Sequence, residues 1–143
     1  IETMAGAHNH CEIRIDNLLV PAANLLGPRG HGHLLGQVRL GPARLAHCMR
    51  WIGQIEVALD LMVQRAETRM LHGDKLSAKQ GIQWKISQAA LALYQCKLMV
   101  LHSAYLIEAG RPFRQEVSMT KYFVAQTLWQ TIDQAIQVHG ALG

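Results

Sequence analysis

LAHCMRWIGQIEVALDLMVQRA, residues 45–66, is the stretch on which the fold turns. Leu45, Cys48, Ile52, Ile55, Leu59, Met62 and Ala66 recur in alternating steps of three and four. That spacing lays them along one face of an α-helix. The segment should start between Gly36 and Pro42 and stop near His72-Gly73, where glycine offers a left-handed terminator.

The pattern repeats downstream. Ser77-Ala78-Lys79-Gln80 has the form of a capping box, with Ser at the N-cap and Gln three residues on. A second stripe follows at Ile82, Ile86, Ala89, Leu93, Cys96, Val100, Ser103 and Ile107, and stops at Gly110-Arg111-Pro112. A third helix is expected from Gln115 to His139, with Tyr122, Ala125, Trp129, Ile132, Ile136 and His139 on one face. The fold class is therefore mainly α. It has three long helices, each roughly 40–50 Å at 1.5 Å per residue. Short connections imply antiparallel neighbours, and three such helices leave apolar faces for a fourth helix or another subunit.

Upstream the character changes. Residues 1–9 look irregular. His10 to Val20 alternates, with Cys11, Ile13 and Ile15 on one side and Glu12, Arg14 and Asp16 on the other. This predicts a half-buried strand that must find partners elsewhere. Pro21 to Gly36 is a Gly- and Pro-punctuated loop. The chain thus divides into residues 1–36, a strand and linker, and residues 37–143, a helical domain.

Composition narrows the function classes. Half of the 143 residues are apolar and 17% are charged, enough for a core and too little charge for a disordered chain. The net charge of +4 suits an anionic partner such as a nucleotide, coenzyme A or nucleic acid, but with no run of five like charges an ordinary solvated surface is the stronger reading. Arg65 and Arg69 share a helix face, but Glu56, Asp60 and Glu67 lie among them, so a mixed solvated face outweighs a nucleic-acid site. Cys11, Cys48 and Cys96 are odd in number and form no CxxC, which reads as reduced core thiols of an intracellular protein. No unbroken apolar run approaches the length of a membrane span. Ile1 at the start and Gly143 at the end read as cut ends.

Most motif chemistry fails on inspection. His8/His10 and His31/His33 are lone pairs without a third ligand, so no metal site is expected. Arg29-Gly30-His31-Gly32-His33 lacks the spacing of a phosphate loop. No GxSxG or paired carboxylates occur. Three features are left over: Arg69 in the last turn of a helix, Gln80 near the start of the next, and the glycine-rich ending Gln137 to Gly143. Taken alone, each also suits a bland role, as a charge at a helix C-terminus, a cap, or a helix end.

Together they carry a resemblance. Val20-Pro21-Ala22-Ala23-Asn24-Leu25-Leu26-Gly27 is similar to the VPxxNxLG loop of the acyl-CoA dehydrogenase family. Arg69-Met70-Leu71-His72-Gly73 resembles its RxxFG helix ending, Gln80 stands eleven residues after Arg69 as the family's glutamine does, and Gln137 to Gly143 resembles QxHGGxG. Four motifs in order, joined by long helices, make the resemblance specific over nearly the whole chain. Residues 41–53, GPARLAHCMRWIG, resemble the acyl-CoA dehydrogenase 10 and 11 type within it.

The resemblance implies a fold and a chemistry. Residues 1–36 become the tail of a β-domain with its last strand and linker. Residues 37–143 become a truncated carboxyl-terminal four-helix bundle with three helices present. The parent would be an FAD-dependent oxidoreductase of fatty acid metabolism that desaturates acyl-CoA thioesters at the α,β bond. It would work as a homodimer or homotetramer and pass electrons to an acceptor. By position, Arg69 would bind the FAD pyrophosphate of a neighbouring subunit and Gln80 would help. Gln137, Gly140 and Ala141 would approach the adenosine end, and Arg44 would lie near the acyl-CoA substrate.

Departures accompany it: His72 for Phe, Ala141 for the second Gly, and Gly41 where many members carry Asp beside the coenzyme A adenine. Ala43 stands where some members carry the catalytic Glu, so no catalytic residue is assigned and the base is expected beyond Gly143. The fragment alone should then be inactive. The compartment would be cytoplasmic in a bacterium, and mitochondrial or peroxisomal in a eukaryote. The alternative is a non-catalytic helical interaction module that reuses the bundle. Neither nucleic-acid binding nor an integral membrane segment is expected.

Overall fold

The computed structural model describes residues 10–143. The chain forms two compact units, Ile1–Leu35 and Gly36–Gly143. The expectation for residues 1–9, and His8 of the His8/His10 pair, lie outside the described residues.

In the first unit the loop from Pro21 winds one 3-10 turn at Ala22–Asn24. The Asn24 N–H donates to the Pro21 carbonyl at 2.9 Å. Residues 10–20, read as a strand with partners elsewhere, form no ladder among the described residues, and Ile13 and Ile15 are 81% and 73% exposed. A strand exists only through its partners' hydrogen bonds, and the described residues offer this stretch no edge to pair with. The fold class stands without it.

The first helix, α1 (Gly32–Thr68), is 37 residues long and begins earlier than Gly36. Pro42 lies inside it. A helix nucleated by the packed stretch beyond residue 45 adds one hydrogen bond per residue as it propagates. The bond that Pro42 cannot donate belongs to a turn whose Val38 is open to solvent, so water can take its place.

α1 does not run to His72-Gly73. It ends at Thr68, and a two-stranded antiparallel hairpin follows, β1 (Met70–Leu71) and β2 (Asp74–Lys75). His72 and Gly73 are its two turn residues, with φ of 51° and 86°. Positive φ at both central positions is what a type I′ hairpin turn demands. The left-handed residues read as a helix terminator therefore reverse a hairpin. The capping box also fails to form. Leu76–Ala78 is a 3-10 turn, Lys79 is the N-cap of α2 (Gln80–Glu108), and no side chain caps it. Ser77 instead offers its carbonyl to Gln83 Nε2 at 2.9 Å. The third helix, α3 (Arg114–His139), follows a short turn at Gly110.

In the second unit the three helices enclose two buried clusters. One joins Leu45, Cys48, Ile52 and Ile55 of α1 to Leu93, Cys96 and Val100 of α2 and Val124 of α3. The other, toward the hairpin end, gathers Ala58, Met62, Leu76, Ala89, Ala135 and Val138. The stripe expected on α1 is buried, with Ala58 inside and Leu59 at the margin. On α2 the stripe from Ala89 to Ser103 is buried as expected, while Ile82, Ile86 and Ile107 are half-buried and Leu106 takes the inner place beside Ile107. Burial pushes the Cys48 thiol up, opposed by Lys121, and likewise pushes up the Cys96 thiol.

α3 is turned the other way from the sequence reading. Its buried face is Val117, Thr120, Val124, Thr127, Thr131, Ala135 and Val138. Tyr122, Trp129, Ile132 and Ile136 are exposed, Trp129 by 75%. α2 and α3 make the closest helix pair in the unit, and small residues at the seam allow that approach. A threonine-rich face is acceptable there because its hydroxyls can find partners: Ser103 Oγ and Thr120 Oγ1 lie 3.0 Å apart, and Thr120 Oγ1 lies 3.4 Å from the Met99 carbonyl. By length and composition α2 is also apolar enough to cross a membrane, which the search for an unbroken apolar run missed. Leu91, Tyr94, Leu98, Leu101 and Tyr105 form a second, exposed apolar stripe on it. Its opposite face carries the core contacts just described.

Thr120→Val should strand the Ser103 hydroxyl in the core and destabilise the protein by about 1–3 kcal/mol. Adding Ser103→Ala should recover part of that loss. Urea unfolding of the two single variants and the double variant gives the coupling directly, and additive losses would rule the pair out as a unit.

Candidate functional site

The hairpin end of the second unit carries a cavity of about 370 Å³ lined by Arg65, Arg69, Leu71, Leu76, Val138, His139, Gly140, Ala141 and Leu142. Its two walls come from segments some seventy residues apart in sequence. Arg65 and Arg69 belong to the last turn of α1 and its exit, and they share a face because they are four residues apart. The opposite wall is the 3-10 turn Gly140–Leu142 that closes α3.

Both walls are held firmly. The Arg69 N–H continues the helical pattern to the Arg65 carbonyl at 3.0 Å, and the Arg69 carbonyl accepts the Leu76 N–H at 2.7 Å. The backbone of Arg69 is thus fixed on both sides, and the base of the hairpin is closed. The Leu76 side chain then sinks into the cluster that contains Met62, Ala135 and Val138. Two ion pairs brace the hairpin outside, Lys75 to Glu67 at 3.0 Å and Lys79 to Asp74 at 2.7 Å. The bonds from Lys75 and Ser77 hold the Glu67 carboxyl below its ordinary value, and Lys79 does the same for Asp74.

On the α3 side the chain leaves the helix through Gly140 at φ 67° and ψ −133°, a conformation that belongs to glycine. Its N–H caps the Gln137 and Ile136 carbonyls. Gly143 then passes so close to Ile136 that a Cβ there would collide with the Ile136 carbonyl oxygen. His139 Nδ1 lies 2.8 Å from the Ala135 carbonyl, so Nδ1 carries the proton that is donated.

The electrostatics of this cavity are one-sided. Two guanidinium groups and an imidazole line it, and no carboxylate does. Arg65 Nε is buried and has no hydrogen-bond partner. The donor set suits an anion with several oxygens, since a guanidinium presents its N–H groups in a fork that matches phosphate or carboxylate.

Of the residues singled out from sequence, the fold brings Arg69, Gly140 and Ala141 to this one cavity. Gln80 begins α2 and Gln137 sits in the last turn of α3; both are exposed and neither lines the cavity. Arg44 lies within α1 twenty-five residues before Arg69 at its exit, roughly 37 Å away along the helix axis. Gly41, near Arg44, is covered by Phe113: a Cβ at 41 would come within 2.8 Å of its ring. A larger residue there would have to displace that ring. Sequence reasoning passed over Arg65 and His139. The i, i+4 relation of Arg65 to Arg69 was the available signal, set aside because Glu67 lies between them.

Lowering the pH tests the brace. Carboxyl groups held low in the folded state stabilise it above their ordinary pKa and lose that contribution as pH falls through the folded value. Amide exchange at Met70–Lys75, corrected for intrinsic rates, should therefore accelerate below about pH 4. The acceleration should shrink in Glu67→Gln with Asp74→Asn. An unchanged acid response in that pair would dismiss the two ion pairs as braces.

Comparison with known proteins places this geometry among relatives. The profile of the family described as acyl-CoA dehydrogenase, C-terminal domain, matches residues 30–143. The chain is 41% identical over 138 residues to the Mycobacterium tuberculosis protein named "Probable acyl-CoA dehydrogenase FadE2", covering 95% of this chain and 34% of that one. It is 38% identical over 136 residues to acyl-CoA dehydrogenase family member 11 of Gallus gallus, covering 94% of this chain and 18% of that one. The chain thus spans about a third or less of the length of these relatives. Among solved structures, the acyl-CoA dehydrogenase from Geobacillus kaustophilus superposes with a TM-score of 0.79 at 28% identity, covering 85% of this chain and 32% of that one.

Proposed function

The chain belongs to the acyl-CoA dehydrogenase family, of which it carries the C-terminal domain, and on that premise we propose that it serves an FAD-dependent α,β-desaturation of acyl-CoA thioesters. Within that reaction its share is to bind the diphosphate of the cofactor and to assemble subunits. The observation that carries the reading is the convergence of Arg69, Gly140 and Ala141 on one cationic cavity free of carboxylates.

The residues fit such a group. Arg69 offers a guanidinium on a backbone fixed at both its N–H and its carbonyl. The glycine at 140 lets the chain turn sharply out of α3 beside it, and Ala141 adds little bulk. The cavity has room for a diphosphate but not for a whole dinucleotide, so the rest of the cofactor would be held elsewhere. Gln80 and Gln137, exposed at the start of α2 and in the last turn of α3, are available to a ligand that extends beyond the cavity. When bound, FAD supplies the hydride acceptor for the β-carbon.

The separation of Arg69 from Arg44 supports a shared site. A substrate held near Arg44 and a diphosphate held at Arg69 lie at opposite ends of α1 in one chain. A symmetric pair can bring one copy's Arg69 end to another copy's Arg44 end. The exposed apolar stripes on α2 and α3 give such an assembly surface to bury. A homodimer or homotetramer, an acyl-CoA substrate and an electron-transfer acceptor complete the proposal. Ala43 holds no proton-accepting group, so position 43 does not supply the base. The cellular setting proposed is intracellular.

Arg69→Met should weaken FAD binding by about ten- to a hundredfold, the effect of removing a charge-assisted hydrogen-bonding group worth about 1.5–3 kcal/mol. Flavin fluorescence titration of the intact protein measures it, and unaltered affinity would remove Arg69 from the site. The 143-residue chain by itself should neither desaturate an acyl-CoA nor reduce an artificial electron acceptor, since Ala43 offers no base at the position where some family members carry the catalytic Glu. Turnover by that chain would defeat this division of labour. Failure of the intact protein to bind FAD at all would favour the non-catalytic interaction module.

A further inference from the structure

Arg65 has a chemistry that the family motif does not use. It precedes the RxxFG-like segment by one helical turn and lines the same cavity as Arg69. Its Nε is buried without a hydrogen-bond partner. A buried, charged donor left unpaired is costly, and folded proteins seldom retain one without a compensating role.

The nearby acids do not relieve it. Glu67 lies between the two arginines in sequence but is engaged by Lys75 at 3.0 Å, and Asp74 is engaged by Lys79 at 2.7 Å. No ion pair involves Arg65 or Arg69 among the described residues. The cavity's remaining polar side chain, His139, spends its Nδ1 proton on the Ala135 carbonyl. Arg65 and Arg69, one turn apart and in no ion pair among the described residues, thus line a cavity without a carboxylate, where an external anion can pair with them.

We infer that Arg65 is a second guanidinium of the anion site, held without a protein partner so that it and Arg69 together bind the two phosphates of a diphosphate ligand. Spacing supports two phosphates over one. Residues four apart on a helix stand about 5–6 Å from each other at Cβ, and two adjoining phosphates present oxygens on both sides of their bridge. The inference depends on the preceding reading for the name of the ligand, FAD, but not for the existence of the anion site. Coenzyme A carries a diphosphate as well, so the test separates the two sources.

The experiment uses intact protein stripped of nucleotide, with Arg65→Met, Arg65→Lys and Arg69→Met variants. Affinities for inorganic pyrophosphate, FAD and coenzyme A are measured by calorimetry, and the ligand-free Tm is recorded for each variant. Arg65→Met should weaken pyrophosphate and FAD binding by about tenfold or more, as expected for losing a charge-assisted contact. It should leave the ligand-free Tm equal or higher, because the unpaired Nε is gone. Arg65→Lys, which keeps the charge and loses the fork, should fall between.

A lowered Tm with unchanged pyrophosphate affinity would overturn the inference and make Arg65 a packing residue. Unchanged affinity for all three ligands would overturn it as well. Arg65-dependent binding of pyrophosphate and coenzyme A without FAD would uphold the diphosphate role while refuting the flavin reading. FAD binding that depends on Arg69 alone would do the reverse.

Discussion

The contact on which the cationic cavity depends is the return of the chain at Leu76. Its amide donates to the Arg69 carbonyl at 2.7 Å, and its side chain enters the cluster formed by Met62, Ala135 and Val138. One residue thereby closes the hairpin, seals the hairpin end of the core and fixes where Arg69 leaves α1. Val138 belongs to the same cluster and lies one turn from Gly140–Leu142, so the opposite wall is set by the same burial. Hydrophobic packing, not the polar groups themselves, sets the two walls at their separation. The cations can then remain unpaired, because the energy that holds them in place comes from their apolar neighbours.

A second constraint runs along the α2–α3 seam. The closest helix approach is reached by filling it with Ala, Ser, Thr, Cys and Val. Small side chains there move the bulky ones to the outside, which is why Trp129, Tyr122, Leu101 and Tyr105 stand open in a single chain. Tight packing inside and apolar stripes outside thus have one cause. A chain built this way exposes large apolar faces, and these are the surface that the proposed assembly would bury.

Much of this was legible in residue order. The 3-4 stripe through Ile52, Ile55 and Met62 announces α1, and its burial follows the reading closely. The stripe through Ala89, Leu93 and Cys96 does the same for α2. Arg69, Gly140 and Ala141 could be singled out as leftovers that no core or turn fully explained. The strand over residues 10–20 could not be judged from alternation, since pairing depends on a second strand. His72-Gly73 carried a correct signal, positive φ, but the same two residues suit a helix terminator and a hairpin turn. Ser77 and Gln80 had capping-box spacing, yet the hairpin's return path placed Ser77 in a 3-10 turn instead.

The sequence by itself determined the elements: three long helices, the breaks between them, and an arginine and a glycine at their tips. It could do so because helical period, proline and glycine act within a few residues of themselves. Tertiary structure decided which face of α3 turns inward, because close approach to α2 rewards small residues over the apolar ones that periodicity favours. It also decided that Arg65 would lack an acid and that residues some seventy positions apart would share a cavity. Those outcomes depend on helix lengths and on how side chains interlock across space, quantities that no local window of sequence contains.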